Sequence, residues 1–222
     1  MRNSVPSQGV AIVSCHVERP LDDEAWTRFS ALHARRPGGF SIIALVRPPD
    51  ADALEDDRLW LDRARLAAAR GPFGLHTHWT SPTHARPTGG VPAERVRREA
   101  EWLVAHGFAP RFFCGGGWYT DEGVRESLRE LELVDCTVRS GLPGDGLLPT
   151  THSLGQLARG ALGRLPAYVH AYFHDYDLLD PRRRLALLTA LEILGRRRHR
   201  ADPLSLAHGE ESDALPSTID AS

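Results

Sequence analysis

The sequence predicts an α/β fold: a parallel sheet joined by helical crossovers, with closure into a barrel favoured over an open sheet. Three observations lead there. Six strand-length apolar runs alternate strictly with five or six helix-length stripes, the order that gives parallel strands and crossover helices. Neither a G-x-G-x-x-G after the first run nor a P-loop is present, which disfavours the open nucleotide-binding sheets that share this alternation. Ionisable side chains also recur at alternate positions of several runs, as they do where strand ends converge on a site.

A first strand spans roughly Val10 to Val17, and a helix follows from about Asp22 to Arg35 with Ala25, Trp26, Phe29 and Leu32 on its apolar side. Pro37-Gly38-Gly39 ends it, and Phe40 to Val46 is a second strand stopped by Pro48-Pro49. Asp57 to Arg70 is helical, with Trp60, Leu61, Ala64 and Ala67 on one side. The third strand runs into His76-Thr77-His78 and a polar loop. Pro92 opens the next helix at the position where its missing N–H costs nothing, and Gly107 closes it. Arg111 to Cys114 is a short strand, Thr120/Asp121 cap a helix to about Glu132, and Leu133 to Val138 is a fifth strand. The stretch from Ser140 to Leu165 is rich in Gly and Pro and yields only a short helix near Leu154 to Ala161. Ala167 to His174 is the last strand, and Asp180-Pro181 starts a final helix bearing Leu187, Leu188, Leu191 and Leu194.

The chain has 222 residues, 41% of them hydrophobic and 25% charged, so residues 1–200 are read as one domain and 201–222 as a disordered tail. A formal charge of −2 offers no bulk field for nucleic acid, and all 27 basic side chains are arginine. Arg196 to Arg200 reads as a solvated helix end rather than a basic patch. No apolar run reaches eighteen residues and the N-terminus lacks a signal core, so no membrane is expected. Three cysteines without paired spacing indicate a reducing, cytoplasmic setting and no structural zinc.

His76 and His78 lie two residues apart on a strand, so both rings share one face and can reach one point; with a carboxylate they would form a facial metal site. In the first strand Ser14, His16 and Glu18 share a face, and in the last His170, Tyr172 and His174 do. One assignment of the faces places all these groups, with Arg111 and Asp135, on the inner side and every cysteine on the other.

The ordered set Val13-Ser-Cys-His-Val-Glu18, Gly74-Leu-His-Thr-His78, Arg111-Phe-Phe-Cys-Gly-Gly-Gly117 and Tyr172-Phe-His-Asp-Tyr-Asp-Leu-Leu179 resembles the polysaccharide deacetylases (NodB-like, carbohydrate esterase family four) over roughly residues 10–198. That resemblance implies a deformed (β/α) barrel of about seven strands and a metal-dependent hydrolase that removes N-acetyl groups from amino sugars. It implies a divalent metal, with Zn²⁺ expected, held by Glu18, His76 and His78, with His84 the alternative to His78 where the family's second histidine is displaced. His16 stands where the family has a catalytic-base Asp, His174 where it has a general-acid His, and Arg111 begins its Arg-x-Pro motif without the proline. Asp135 or Asp175 would orient His174, backbone amides of 115–118 would meet the oxyanion, and Trp79, Trp118 and Tyr119 would stack on sugar. The expected partner is a carbohydrate or N-acylated small molecule, with oligomeric state unread. The alternatives are an amidohydrolase-type metal hydrolase, which usually has its His-x-His on the first strand, and a barrel that has lost catalysis and only binds a glycan or metabolite.

Overall fold

The structure, a computed structural model, describes residues 9–50, 52–160 and 163–210. In chain order its elements are β1 (Val10–Val17), α1 (Asp23–Arg35), β2 (Ile43–Val46), α2 (Asp57–Ala68), β3 (Phe73–Thr77), α3 (Pro92–Ala105), β4 (Phe112–Gly115), α4 (Glu122–Glu130), β5 (Val134–Asp135), β6 (His152–Ser153), α5 (Leu154–Gly160), β7 (Tyr168–His174), α6 (Pro181–Arg197), β8 (His199–Arg200) and α7 (Pro203–Ala207). The helices begin where short polar caps precede apolar stripes. Asp22, Asp56, Asp121, Asp180 and Asp202 each accept a backbone N–H of the first turn, and such a cap contributes about 1 kcal/mol.

All strand pairs are parallel and run in the order β5-β4-β3-β2-β1-β7-β6. β8 pairs with Val10 and Ala11, beside the lower half of β1 that β2, paired only from Ser14 onward, leaves open. The sheet curls until its edges nearly meet. The segment 146–153 spans the gap: Leu148 N–H donates to Asp135 and Thr150 N–H to Val138, while Thr151 N–H donates to His170 before β6 joins β7. The result is a deformed, incompletely closed (β/α) barrel, as expected.

Two apolar layers follow from strand parity. Ala11, Val13, Cys15, Leu75, Phe113 and Phe173 pack outward against the helices with Phe29, Trp60 and Leu191. Val10, Ile12, Ile43, Leu45, Phe112, Val134, Leu148 and Tyr168 fill the lower interior. At 25 cal/mol per Å² each fully buried large side chain contributes about 1.5–3 kcal/mol, so a dry floor supports the polar upper interior.

Four expectations need correction. Cys114 and Cys136 lie inside the barrel, and only Cys15 lies under the helices. The cause is register: Cα partners on neighbouring parallel strands share a face, so Cys114, partnered with His76, faces the way His76 faces. β6 and β8 are additional strands of two residues each, too short to show a period. β2 begins at Ile43 and not Phe40, after a 3₁₀ turn at Pro37–Gly39. The tail does not begin at 201: α7 is ordered, with Leu206 and Ala207 buried against the barrel floor. Residues 211–222, the rest of the expected tail, lie outside the described residues.

Candidate metal centre

The C-terminal ends of β1, β3 and β7 bring one carboxylate and four imidazoles together. Glu18 Oε1 lies 3.6 Å from His76 Nε2, 3.8 Å from His78 Nε2 and 3.5 Å from His174 Nε2. The His16 ring sits deeper, with centroids 4.7 Å from His76, 5.1 Å from His174 and 5.3 Å from Tyr172. His16, His76 and His78 are 2–3% exposed, whereas the Glu18 side chain is 23% exposed at the mouth.

Each ring of the His-x-His pair is fixed from behind. His76 Nδ1 meets the Cys114 carbonyl at 2.9 Å and His78 Nδ1 the Pro82 carbonyl at 2.9 Å. A carbonyl only accepts, so each Nδ1 carries the proton and each Nε2 turns its lone pair inward. Both of these atoms, and His16 Nε2, are buried and have no hydrogen-bond partner. Two inward lone pairs beside a carboxylate repel unless a cation or a proton lies between them. This is the arrangement of histidine metal ligands held by outer hydrogen bonds, and Glu18, His76 and His78 satisfy the spacing for a single ion.

Electrostatics agree. Burial alone would push the Glu18 carboxyl up, but the imidazoles of His76, His78 and His174 gathered around it hold it well below the usual carboxylate range. Burial pushes the His76 and His16 imidazoles below their ordinary value, and for His16 the neighbouring His76 and His174 add to it. Both rings are therefore neutral at pH 7, the form that can ligate or accept a proton.

Several predicted residues take other places. His84 is exposed on the loop after β3, where its backbone pairs with Ser81, so His78 is the second ring. Arg111 precedes β4 at the opposite end of the sheet and is exposed; with Asp135 it lines a separate cleft of about 700 Å³. Asp135 faces α4 because it pairs with outward-facing Phe113, and its Oδ1 accepts from Thr137 N–H. Trp79 packs in the outer layer on Phe113 and Tyr119, its indole N–H donating to Gly116, and Tyr119 donates to the α4 cap Asp121. Trp118 does reach the site, 5.4 Å from His16 and 4.9 Å from Tyr172, with the Arg139 guanidinium 4.3 Å over its ring. It does so at φ +60°, a strained conformation for a bulky residue. Of the backbone amides expected to face an oxyanion, that of Gly115 is already donated to Thr137 Oγ1.

Two residues were missed. Asp177, and neither Asp135 nor Asp175, touches His174: its Oδ2 accepts the His174 backbone N–H at 3.0 Å and lies 3.5 Å from Nδ1, while Arg183 holds its Oδ1. Asp175 is buried with its carboxyl pushed up to about 6, chiefly by that burial, and accepts the Arg19 and Tyr176 amides instead. Arg47 donates to the Glu18 carbonyl and forms a bidentate pair with Glu55, which fixes the backbone that carries the carboxylate. The aspartates one and three residues after His174 were the only local sign of the first, and nothing nearby in sequence marks the second.

No protein-family model matches the sequence, and no curated protein sequence matches it. Solved structures do. A family 4 carbohydrate esterase pseudoenzyme from Bacillus anthracis is similar over 91% of this chain at TM-score 0.58 and 10% identity; the chain spans 66% of that protein's length. A family 4 carbohydrate esterase from Streptomyces lividans, in complex with acetate, aligns over 90% of this chain and 96% of its own at TM-score 0.54 and 14% identity. A polysaccharide deacetylase from Bacillus cereus aligns over 89% and 94% at TM-score 0.52 and 13% identity. The fold is that of the polysaccharide deacetylases.

Proposed function

We propose that this chain is a divergent polysaccharide-deacetylase-type hydrolase that removes an N-acyl group, acetyl in the simplest case, from an amino sugar or related carbohydrate. The observation that carries the reading is the convergence of the unpartnered His76 and His78 Nε2 atoms on Glu18. These three residues would hold a divalent ion, Zn²⁺ by preference for imidazole and carboxylate in a small site. Such an ion supplies Lewis acidity, polarising an acyl carbonyl and lowering the pKa of water.

The chain's own groups supply the rest. His16, neutral and with Nε2 uncommitted, accepts a proton from the attacking water. His174, held through Nδ1 by Asp177, presents Nε2 on the other side of Glu18 and delivers a proton to the departing amine. A cleft of about 390 Å³ lined by Tyr172, His174, Asp177, Arg183 and Leu154 opens beside it, large enough for a sugar residue. The Trp118 ring packs against both His16 and Tyr172.

A second reading has its own support: a barrel that binds sugar without hydrolysing it. His16 replaces the acid that the resemblance calls for and is sealed to 2% exposure. One protein of this fold is described as a pseudoenzyme, and a mutant of it as having restored enzymatic activity. Acetate release from N-acetylated chitooligomers and amino sugars, by protein stripped of metal and then reloaded with Zn²⁺, decides between the two. Release that chelation removes and Glu18→Gln abolishes supports the hydrolase. Inert protein that binds one equivalent of Zn²⁺, and gains activity on His16→Asp, supports the impaired barrel. Inert protein that binds no Zn²⁺ overturns both.

A further inference from the structure

Below the trio at the mouth, a second set of ligand atoms converges. His16, His76 and Cys114 each offer an atom within 4.8 Å of the others, and all three are buried. His16 Nε2 has no partner. Cys114 is a free thiol on the inner face, and its Sγ makes a long 3.9 Å contact to the Gly115 carbonyl. Register creates the set: Cys114 is the Cα partner of His76 on the next strand, and the His16 ring packs at a tilt against His76 from β1.

We propose that His16, His76 and Cys114 form a second metal position, deeper than Glu18, that takes a thiophilic divalent ion such as Cd²⁺, with Co²⁺ as its spectroscopic probe. Two imidazoles and a thiolate are a softer set than a carboxylate and two imidazoles, so the two positions differ in metal preference. Binding displaces the Cys114 proton to solvent and forms a metal–sulfur bond, while His16 and His76 bind as neutral rings.

The two positions are mutually exclusive. His76 Nδ1 is committed to the Cys114 carbonyl, so Nε2 is its one available nitrogen and a single ion uses it at a time. An ion in the deep position also occupies His16. Under the hydrolase reading, which this consequence alone rests on, a thiophilic ion switches catalysis off by taking a ligand and the base together. The deep position itself stands independently of that reading.

The test is Co²⁺ titration of the metal-free full-length protein, followed by absorption. The expected result is a near-ultraviolet thiolate-to-cobalt charge-transfer band that saturates at one equivalent. Cys114→Ser and Cys114→Ala should both remove the band and weaken Co²⁺ binding by about 10-fold or more. Cys15→Ser and Cys136→Ser should keep it, and Glu18→Gln should keep or strengthen it. Circular dichroism confirms that each variant is folded. Cobalt bound with visible ligand-field bands but no thiolate band, and lost in Glu18→Gln, overturns the deep position and leaves the mouth site standing. A band unchanged in both Cys114 variants overturns it as well, and absence of any cobalt binding overturns both sites.

Discussion

His76 and His170 face the same interior from strands on either side of the barrel, and both are buried, yet their hydrogen bonding differs. His170 has both nitrogens engaged: Nδ1 reaches the Leu148 carbonyl at 3.1 Å and Nε2 the Ser14 hydroxyl at 2.9 Å. His76 has only Nδ1 engaged. The first ring knits β7 to β1 and to the segment that spans the sheet's edges, and it is complete without a ligand. The second is incomplete by one bond, and its open nitrogen faces two others and a carboxylate. An orphaned nitrogen is not by itself the mark of a site, since His33 Nδ1 is also unpartnered behind α1. Convergence is the mark.

The largest effect expected from this contrast is on metal binding. Apparent zinc affinities of roughly 10–16 kcal/mol shared among about four ligands assign about 2.5–4 kcal/mol to one. His76→Ala is therefore expected to weaken Zn²⁺ binding by roughly 60- to 700-fold, measured by competition with a chromophoric chelator. His170→Ala should leave that affinity within about threefold. Equal losses in the two variants would remove the distinction between a ligand and a structural histidine.

The next effect is on stability and belongs to His170. Burial pushes its imidazole down to about 4, from an ordinary value near 6.5. The folded-state value lies below the unfolded one, so below about 6.5 the unfolded chain binds the extra proton. The stabilisation is full above that pH and falls progressively as pH drops toward 4, by about 3 kcal/mol for this group. Urea unfolding of metal-free protein across pH 4–7 should show this loss, and His170→Asn should flatten the slope. An unchanged slope in that variant would assign the acid sensitivity to other groups.

What the sequence made legible follows from strand length. β1, β3 and β7 have eight, five and seven residues, enough for alternation to assign a face, and the inward set Glu18, His16, His76, His78 and His174 was readable from them. β4 and β5 have four and two residues, so their phase was ambiguous until register with β3 settled it. That ambiguity misplaced Arg111, Asp135, Cys114 and Cys136 together. Trp79 and Trp118 looked equivalent as aromatic residues beyond strand ends; only tertiary packing sends one outward onto Phe113 and the other onto His16. Arg47 was invisible because its partners Glu18 and Glu55 lie 29 and 8 residues away.

Arg47 supplies the third test. It does not reach the trio, but it clamps the backbone of the residue that supplies the carboxylate. Arg47→Met keeps the aliphatic packing and removes the clamp, and it is expected to weaken Zn²⁺ binding by about 10-fold, the lower range for outer-layer partners. Part of that loss should return in Arg47→Lys, which keeps the charge beside Glu55 but not the bidentate fork. A loss as large as that of His76→Ala would mean that Arg47 shapes the whole mouth and not Glu18 alone.

The smallest effect separates the two ends of the barrel. Arg111 occupies a motif position that the resemblance connects with catalysis, yet its guanidinium lies on the exposed floor beside Asp202, Pro203 and Leu204. Between that floor and the mouth lies the layer of Ile12, Leu45, Phe112 and Tyr168, whose one polar group, the Tyr168 hydroxyl, is spent on the Pro149 carbonyl. Arg111→Ala is thus expected to leave Zn²⁺ affinity and any acetate release within about twofold and stability within about 0.5 kcal/mol, as for an ordinary surface substitution. A larger loss of acetate release at unchanged metal affinity would show that the floor communicates with the mouth, and would return Arg111 to the reaction by a route through the packed interior.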